Sequence, residues 1–366
     1  MTSFIVPMIL VVFAGVSGFA LGIATPLLEI LAGIVGVNFF GLETSGIIDL
    51  LGEMGILSLM YLAGLEINME FIKKEYKSSI GVGAASFLAP FLAVFVICNF
   101  LLGFELMASL LIATALSTTS VAIVYPILLG QGMNKINKTL LAAAMVTDLL
   151  SIIALSMFFS DFTVYTLLVL LGLLVFSKPI RDFGHVIFSK ITKSKKQSMG
   201  LKLKIVLLIL LGLQVTAEFA GVEAVLLAFL FGIFTSELIE KFETIESQLK
   251  TITFAFLTPF FFFKVGLSID LVSLWNSVGY LALFTAIVYG SKWLGTYLAT
   301  KPFFPKKGHY AGHLFNSQLS IGIIAATLGL EAQILTAEIY VAIVGAVILC
   351  SLISSIATHE KFTLEG

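Results

Sequence analysis

Between residues 5 and 357 the sequence is a near-unbroken succession of apolar runs separated by short polar turns. Each run is about 17 to 25 residues long, the length an α-helix needs to cross a bilayer. Inside lipid the backbone must satisfy its own hydrogen bonds, so a chain of this kind is expected to fold as an all-α polytopic membrane protein. About thirteen transmembrane helices are predicted, over 5–23, 25–41, 48–69, 79–103, 106–129, 139–160, 162–177, 203–217, 221–236, 253–269, 275–299, 310–329 and 334–357. With 59% of the residues hydrophobic and 12% charged, an ordinary soluble domain is excluded. Cys98 and Cys350 both lie in apolar runs and offer neither a disulfide framework nor a metal-knuckle spacing.

The bases fall in alternate loops. Lys73, Lys74 and Lys77 follow the third run, Lys135 and Lys138 the fifth, and a basic stretch from Lys178 to Lys204 the seventh. Lys241 and Lys250 follow the ninth, Lys301, Lys306 and Lys307 the eleventh, and Lys361 the thirteenth. The intervening loops carry Glu43, Glu105, Asp161, Glu218 and Glu331 and no base. Basic residues collect on the cytoplasmic side, so a multi-pass protein of the cell membrane is expected, with its amino terminus outside and its carboxyl terminus in the cytoplasm. Because the formal net charge is -1, the bases answer to topology and lipid headgroups rather than to nucleic acid.

"YLAGLEINMEFI" (61–72) and "FKVGLSIDLVSL" (263–274) align at an offset of 202, matching Gly64 with Gly266, Leu65 with Leu267 and Ile67 with Ile269. They end the third and tenth runs, so the two copies cross the membrane in opposite directions. The expected plan is two inverted-topology repeats of about six helices, with a binding site near the bilayer midplane. The first repeat, with a linking helix, covers 1–177, a basic cytoplasmic loop 178–202, and the inverted second repeat 203–358. The segment 237–252 has apolar residues at helical spacing and reads as an interfacial helix tying the halves together.

The repeat pairs the fifth run with the twelfth, and both are polar at their centres: Ser117, Thr118, Thr119 and Ser120 in one, Ser317, Gln318, Ser320 and Gly322 in the other. Hydroxyls there let a helix unwind at depth and free its carbonyls for a cation; close helix packing through small residues is the plainer reading. Asp148 is the only acid near the middle of a run, about 14 Å from the cytoplasmic end at 1.5 Å per residue, and Lys292 lies at about 11 Å. Ionisable residues at that depth are functional candidates, Asp148 as a carrier of a cation or proton and Lys292 as its charge compensation. A buried ion pair that only fixes packing is the structural alternative. Lys264 is nearer the outer end of its run, where snorkelling is expected. Glu66 reads either as a rim carboxylate or as part of a funnel leading to the site. His309 and His313 lie one turn apart near the cytoplasmic end and read as pH-sensing or passive. With no P-loop, metal cluster or nucleophile set in the chain, neither an ATP-driven pump nor an enzyme is expected, and no cofactor.

The stretches "LLGEMGILSLMYLAGLEIN" (50–68), "ATALSTTSVAIVYPIL" (113–128), "AAAMVTDLLSII" (142–153), "LLAFLFGIFTSE" (226–237), "PFFFFKVGLSIDL" (259–271) and "GSKWLGTYL" (290–298), in this order, resemble the monovalent cation:proton antiporters, the family of sodium/proton and Kef-type potassium/proton exchangers. The resemblance implies a homodimer, a core with two crossed broken helices, and elevator-type alternating access. Its dimerisation domain corresponds to about 1–47 and 162–236 here, and its core to about 48–160 and 253–358. It also implies a cation site, taking Na+ (or Li+ or K+), at Asp148 with Thr147, Thr118, Thr119 and Ser120, and it matches Lys292 to the family's core lysine. Members usually carry Asp-Asp or Asn-Asp where this chain has Thr147-Asp148. The expected exchange of Na+ for H+ is therefore electroneutral, one for one. A K+/H+ antiporter of the Kef type and a sodium-coupled organic anion symporter on the same fold are the alternatives. Leu319 stands where many Kef-type relatives carry Arg, which weakens the potassium reading.

Overall fold

The computed structural model describes residues 2–21, 25–44, 46–65, 76–132, 134–159, 179, 182–190, 200–220, 224–240 and 243–364. Among them every regular element is helical. In chain order the helices are α1 (Thr2–Leu21), α2 (Thr25–Phe40), α3 (Gly46–Leu65), α4 (Tyr76–Val96), α5 (Leu106–Leu116), α6 (Val121–Gly130), α7 (Lys135–Phe159) and α8 (Leu201–Ala220). They continue with α9 (Ala224–Glu240), α10 (Glu243–Ile252), α11 (Thr258–Leu267), α12 (Leu271–Thr300), α13 (Gly308–Leu314), α14 (Ser320–Glu331) and α15 (Ala337–Leu364). Six helical stretches are long and apolar enough to span a bilayer: Gly46–Leu65, Lys77–Leu101, Lys135–Leu155, Ile245–Leu267, Leu271–Thr300 and Ala337–Thr358. Shorter apolar helices accompany them. The chain is a multi-pass membrane protein. The run at 162–177 and residues 178, 180–181 and 191–199 of the basic loop lie outside the described residues.

Two compact units divide the chain. The first, Met1–Ile67 with Phe159–Ser268, is held by helices that touch backbone to backbone through glycine, as small residues allow inside lipid. Where α2 meets α11, a Cβ on Gly33 would run into the Phe263 carbonyl and lie 2.8 Å from the Gly266 Cα. Where α3 meets α9, a Cβ on Gly64 would run into the Phe229 carbonyl and lie 2.9 Å from the Gly232 Cα. Val11, Ile48, Phe263 and Leu267 form an apolar cluster beside the first crossing. Tyr61 closes the second, its hydroxyl 3.0 Å from Thr235 Oγ1. Lys264, expected to snorkel or to serve at the interface, extends to Asp49 in the first turn of α3, where its ammonium pairs with the carboxylate at 3.0 Å.

The expected interfacial helix is split. Residues 237–240 finish α9, and the amphipathic helix is α10, which buries Ile245 and Leu249 and pairs Lys250 with Glu246 at 2.9 Å on its other face. A π-helical turn, Thr253–Leu257, then carries α10 directly into α11.

The second unit, Asn68–Phe158 with Ile269–Gly366, is arranged around α12, which packs against α4, α13 and α15. The helix α14 packs against α5 and α15. Gly83 sets the α4–α7 crossing: a Cβ there would come within 2.5 Å of the Ala143 carbonyl and 2.8 Å of Val146 Cβ. A π-helical turn, Ile97–Leu101, ends α4, and Gly103, in the left-handed region at φ +70°, turns the chain towards α5.

Candidate functional site

Two of the apolar runs in the second unit are interrupted, at 117–120 and at 315–319. At the first break Ser117 Oγ donates to the Ala113 carbonyl at 2.6 Å and Thr114 Oγ1 to the Leu110 carbonyl at 2.9 Å, so the hydroxyls of the last turn of α5 are satisfied by its own backbone. At the second break Asn316 Nδ2 donates to the Gly312 carbonyl at 2.9 Å. The breaks are joined: Ser120 N–H donates to the Ser317 carbonyl at 2.7 Å, and Thr119 Oγ1 to the Phe315 carbonyl at 3.0 Å. Gly322 permits this approach, since a Cβ there would lie 2.5 Å from the Ala115 carbonyl and 3.2 Å from Thr118 Oγ1.

Lys292 comes from α12 into this junction. It is fully buried, at 0% exposure, and its ammonium donates to the Ser117 carbonyl at 3.0 Å and to the Thr118 carbonyl. Those acceptors follow the last turn of α5, the negative end of a helix, where a cation is favoured. Asp148, on α7 and 6% exposed, is close enough for its charge to attract that of Lys292. Thr147 is directed elsewhere: its hydroxyl lies 3.1 Å from both the Gly83 and the Ala143 carbonyls. Among the described residues, Thr118 Oγ1 and Ser120 Oγ are buried oxygens without a hydrogen-bond partner. Neutral and anionic oxygens of this kind are the donor set a hard monovalent cation takes. Ser320 opens α14 and is buried. Glu66 lies outside the described residues.

Sequence reasoning missed the serines of α15. Ser354 Oγ lies 2.8 Å from Ser317 Oγ and donates to the His313 carbonyl at 2.7 Å, while Ser351 Oγ accepts the Gln318 N–H at 2.9 Å and donates to the Gln318 carbonyl. Ser351, Ser354 and Thr358 form an i, i+3, i+7 polar stripe in "CSLISSIAT", and that spacing was the available signal. The histidines sit among aromatic rings: His313 Nδ1 is 2.7 Å from the Tyr289 hydroxyl, and His309 packs on Tyr297 with centroids 4.6 Å apart.

A buried lysine on the end of one interrupted helix, a buried carboxylate within reach of its charge and a second interruption bonded to the first suit a polytopic membrane transporter. The chain belongs to the sodium/hydrogen exchanger family, matching the transmembrane family so described over residues 5–360. It is 26% identical over 358 residues to a probable Na(+)/H(+) antiporter of Methanocaldococcus jannaschii, covering 92% of this chain and 89% of the relative. It is 27% identical over 352 residues to the Na(+)/H(+)-K(+) antiporter GerN of Bacillus cereus, covering 93% and 90%. Among solved structures, the sodium proton antiporter MjNhaP1 from M. jannaschii at pH 8 superposes with a TM-score of 0.68 at 15% identity, over 98% of this chain and 97% of that one. An electron-microscopy structure of the same antiporter gives 0.73 at 17% identity, over 96% and 93%. These likenesses are of fold.

Proposed function

We propose that the protein exchanges Na+ for H+ across the cell membrane, with Asp148 carrying whichever ion is aboard. The observation that carries the reading is the placement of Lys292, buried and bonded to the Ser117 and Thr118 carbonyls, with its charge acting on Asp148. Held by backbone, the ammonium stays with the site while the carboxylate carries Na+ or H+. Either ion neutralises the one carboxylate equally, so the loaded states carry equal charge and the exchange is electroneutral, one for one. Thr118, Thr119 and Ser120 supply the surrounding oxygens beside the second break at Ser317, Gln318 and Ser320, while Thr147, expected among them, has its hydroxyl committed to the Gly83 and Ala143 carbonyls. The names of the relatives support cation/proton exchange and favour neither K+/H+ exchange alone nor organic anion symport.

The inverted repeat and the count of about thirteen helices belong to the same proposal. The glycine contacts support it: at the offset of 202 Gly64 corresponds to Gly266, and at 199 Gly33 corresponds to Gly232, so exchanging the repeats turns one glycine crossing into the other. We also take from the family the elevator motion of the core, a homodimer through the dimerisation domain, a bilayer around both, and an amino terminus outside with the carboxyl terminus cytoplasmic.

The test uses proteoliposomes with an acid lumen and a trapped pH dye, to which Na+, Li+, K+ or choline is added. Sodium is expected to alkalinise the lumen, with no dependence on an imposed voltage, and Asp148→Asn to abolish the response. Silence towards every cation across a broad pH range overturns the proposal.

A further inference from the structure

Gln318 is the least satisfied side chain of the second interruption. It is fully buried, and among the described residues neither its amide oxygen nor its amide nitrogen has a hydrogen-bond partner. Its backbone, by contrast, is held at both polar groups by one hydroxyl, that of Ser351. The preceding carbonyl, of Ser317, accepts the Ser120 N–H, so Gln318 adjoins the junction of the two breaks. One turn along α15, Ser354 bonds Ser317 and the His313 carbonyl.

A primary amide offers two donors and two acceptor sites. Burying those groups unmatched costs as much as losing the hydrogen bonds they would make. Simple space filling is met by Leu or Met without that cost. A locked backbone beneath an unmatched amide is the arrangement expected of a ligand prepared in advance for something outside the chain.

We infer that Gln318 is a neutral ligand of the transported cation and that Ser351 is the positioning residue that fixes it. This rests on the exchange reading above. An amide oxygen is a hard donor without charge. It therefore tunes affinity and the choice among monovalent cations while leaving the charge moved per cycle unchanged.

The experiment titrates Na+, Li+ and K+ against the full chain in proteoliposomes, for the unaltered protein, Gln318→Leu, Gln318→Asn, Ser351→Ala and Ser351→Thr. Cation-dependent thermal stabilisation in detergent is read in parallel and needs no flux. Gln318→Leu is expected to raise the apparent KM for Na+ about tenfold and to change the Na+ to K+ ratio, with the maximal rate and the voltage independence kept. Ser351→Ala should move KM in the same direction by a smaller factor, and Ser351→Thr should restore it. Should Gln318→Leu fail to fold, Gln318→Asn, which shortens the amide by one methylene, carries the same expectation. Unchanged KM, ratio and cation stabilisation in the Gln318 variants would mean that only water completes the amide, and the inference falls. Loss of maximal rate at constant KM also overturns it, leaving Gln318 a structural residue. An unaltered protein without cation-dependent exchange sinks the exchange reading instead, a separate outcome.

Discussion

Replacing Lys292 by Met tests whether the lysine holds the first interruption together. Each charge-assisted hydrogen bond to a carbonyl contributes about 1.5–3 kcal/mol, so the two to Ser117 and Thr118 contribute about 3–6 kcal/mol. Burying the ammonium costs several kcal/mol, and on these two effects alone Met is close to neutral. The carbonyls decide the sign. They lie at the end of α5, where no further turn of helix supplies N–H donors, and two stranded buried acceptors cost about 1–3 kcal/mol each. The expected net destabilisation is about 2–6 kcal/mol. For 366 residues, at about 2.1 cal/mol/K per residue, that lowers Tm by about 3–8 °C. Thermal unfolding of the purified protein in detergent, at one fixed scan rate because such unfolding is irreversible, reads the shift. Lys264→Met is the control, because its pair with Asp49 is partly solvated, the side chains being 20% and 38% exposed, and a pair of that kind contributes about 1 kcal/mol or less. A Lys292→Met protein that melts within about 1 °C of the unaltered one refutes the argument that the lysine completes α5.

Gly33→Ala places a Cβ against the Phe263 carbonyl and 2.8 Å from the Gly266 Cα, and the same melting assay should show a loss of about 1–3 kcal/mol. Gly15→Ala, with nothing within 4 Å of its Cβ, should be neutral or stabilising by up to about 1 kcal/mol. Asp270 caps α12, accepting Ser273 N–H at 2.8 Å and Ser273 Oγ–H at 2.5 Å, and the Ser273 bonds hold its carboxyl below the usual value. A carboxyl depressed in the folded state stabilises above its unfolded pKa and stops doing so as pH falls through the folded one. Asp270→Ala should therefore cost about 0.5–2 kcal/mol at neutral pH, and the gap between the two melting curves should close below about pH 4.

The apolar runs were legible because length and composition are local properties, and the two breaks because hydroxyls cluster at 117–120 and 317–320. Asp148 and Lys292 stood out by depth alone. What Lys292 binds was not legible, since its acceptors are backbone carbonyls, which have no residue letter. The α15 serines were hidden for a related reason: a serine in an apolar helix looks the same whether it bonds its own backbone or, like Ser351, a neighbouring break. The division taken from the family resemblance puts α3 and α11 in the core, while the first compact unit contains both, against α9 and α2, through the close approaches at Gly64 and Gly33. Such contacts are written in glycines that, read singly, resemble any others in a membrane helix.

Thr147 is the residue on which the proposed stoichiometry turns, and its surroundings explain how the chain does without an acid there. If a carboxylate at 147 were the only partner of Lys292, removing it would strand a buried charge at about 3–5 kcal/mol. Lys292 instead ends on the carbonyls of Ser117 and Thr118, and Thr147 has separate work, its hydroxyl lying 3.1 Å from the Gly83 and Ala143 carbonyls at the α4–α7 crossing. Both positions are thus satisfied by backbone. Among the described residues Asp148 is the single carboxylate of the proposed site, and in the proposed exchange it takes one proton for one cation. An ionised acid put in place of Thr147 would face those same two carbonyl oxygens, acceptor against acceptor, in a crossing that leaves no room for a Cβ on Gly83. A second proton per cycle would therefore demand more than a second acid: the α4–α7 crossing itself would have to open.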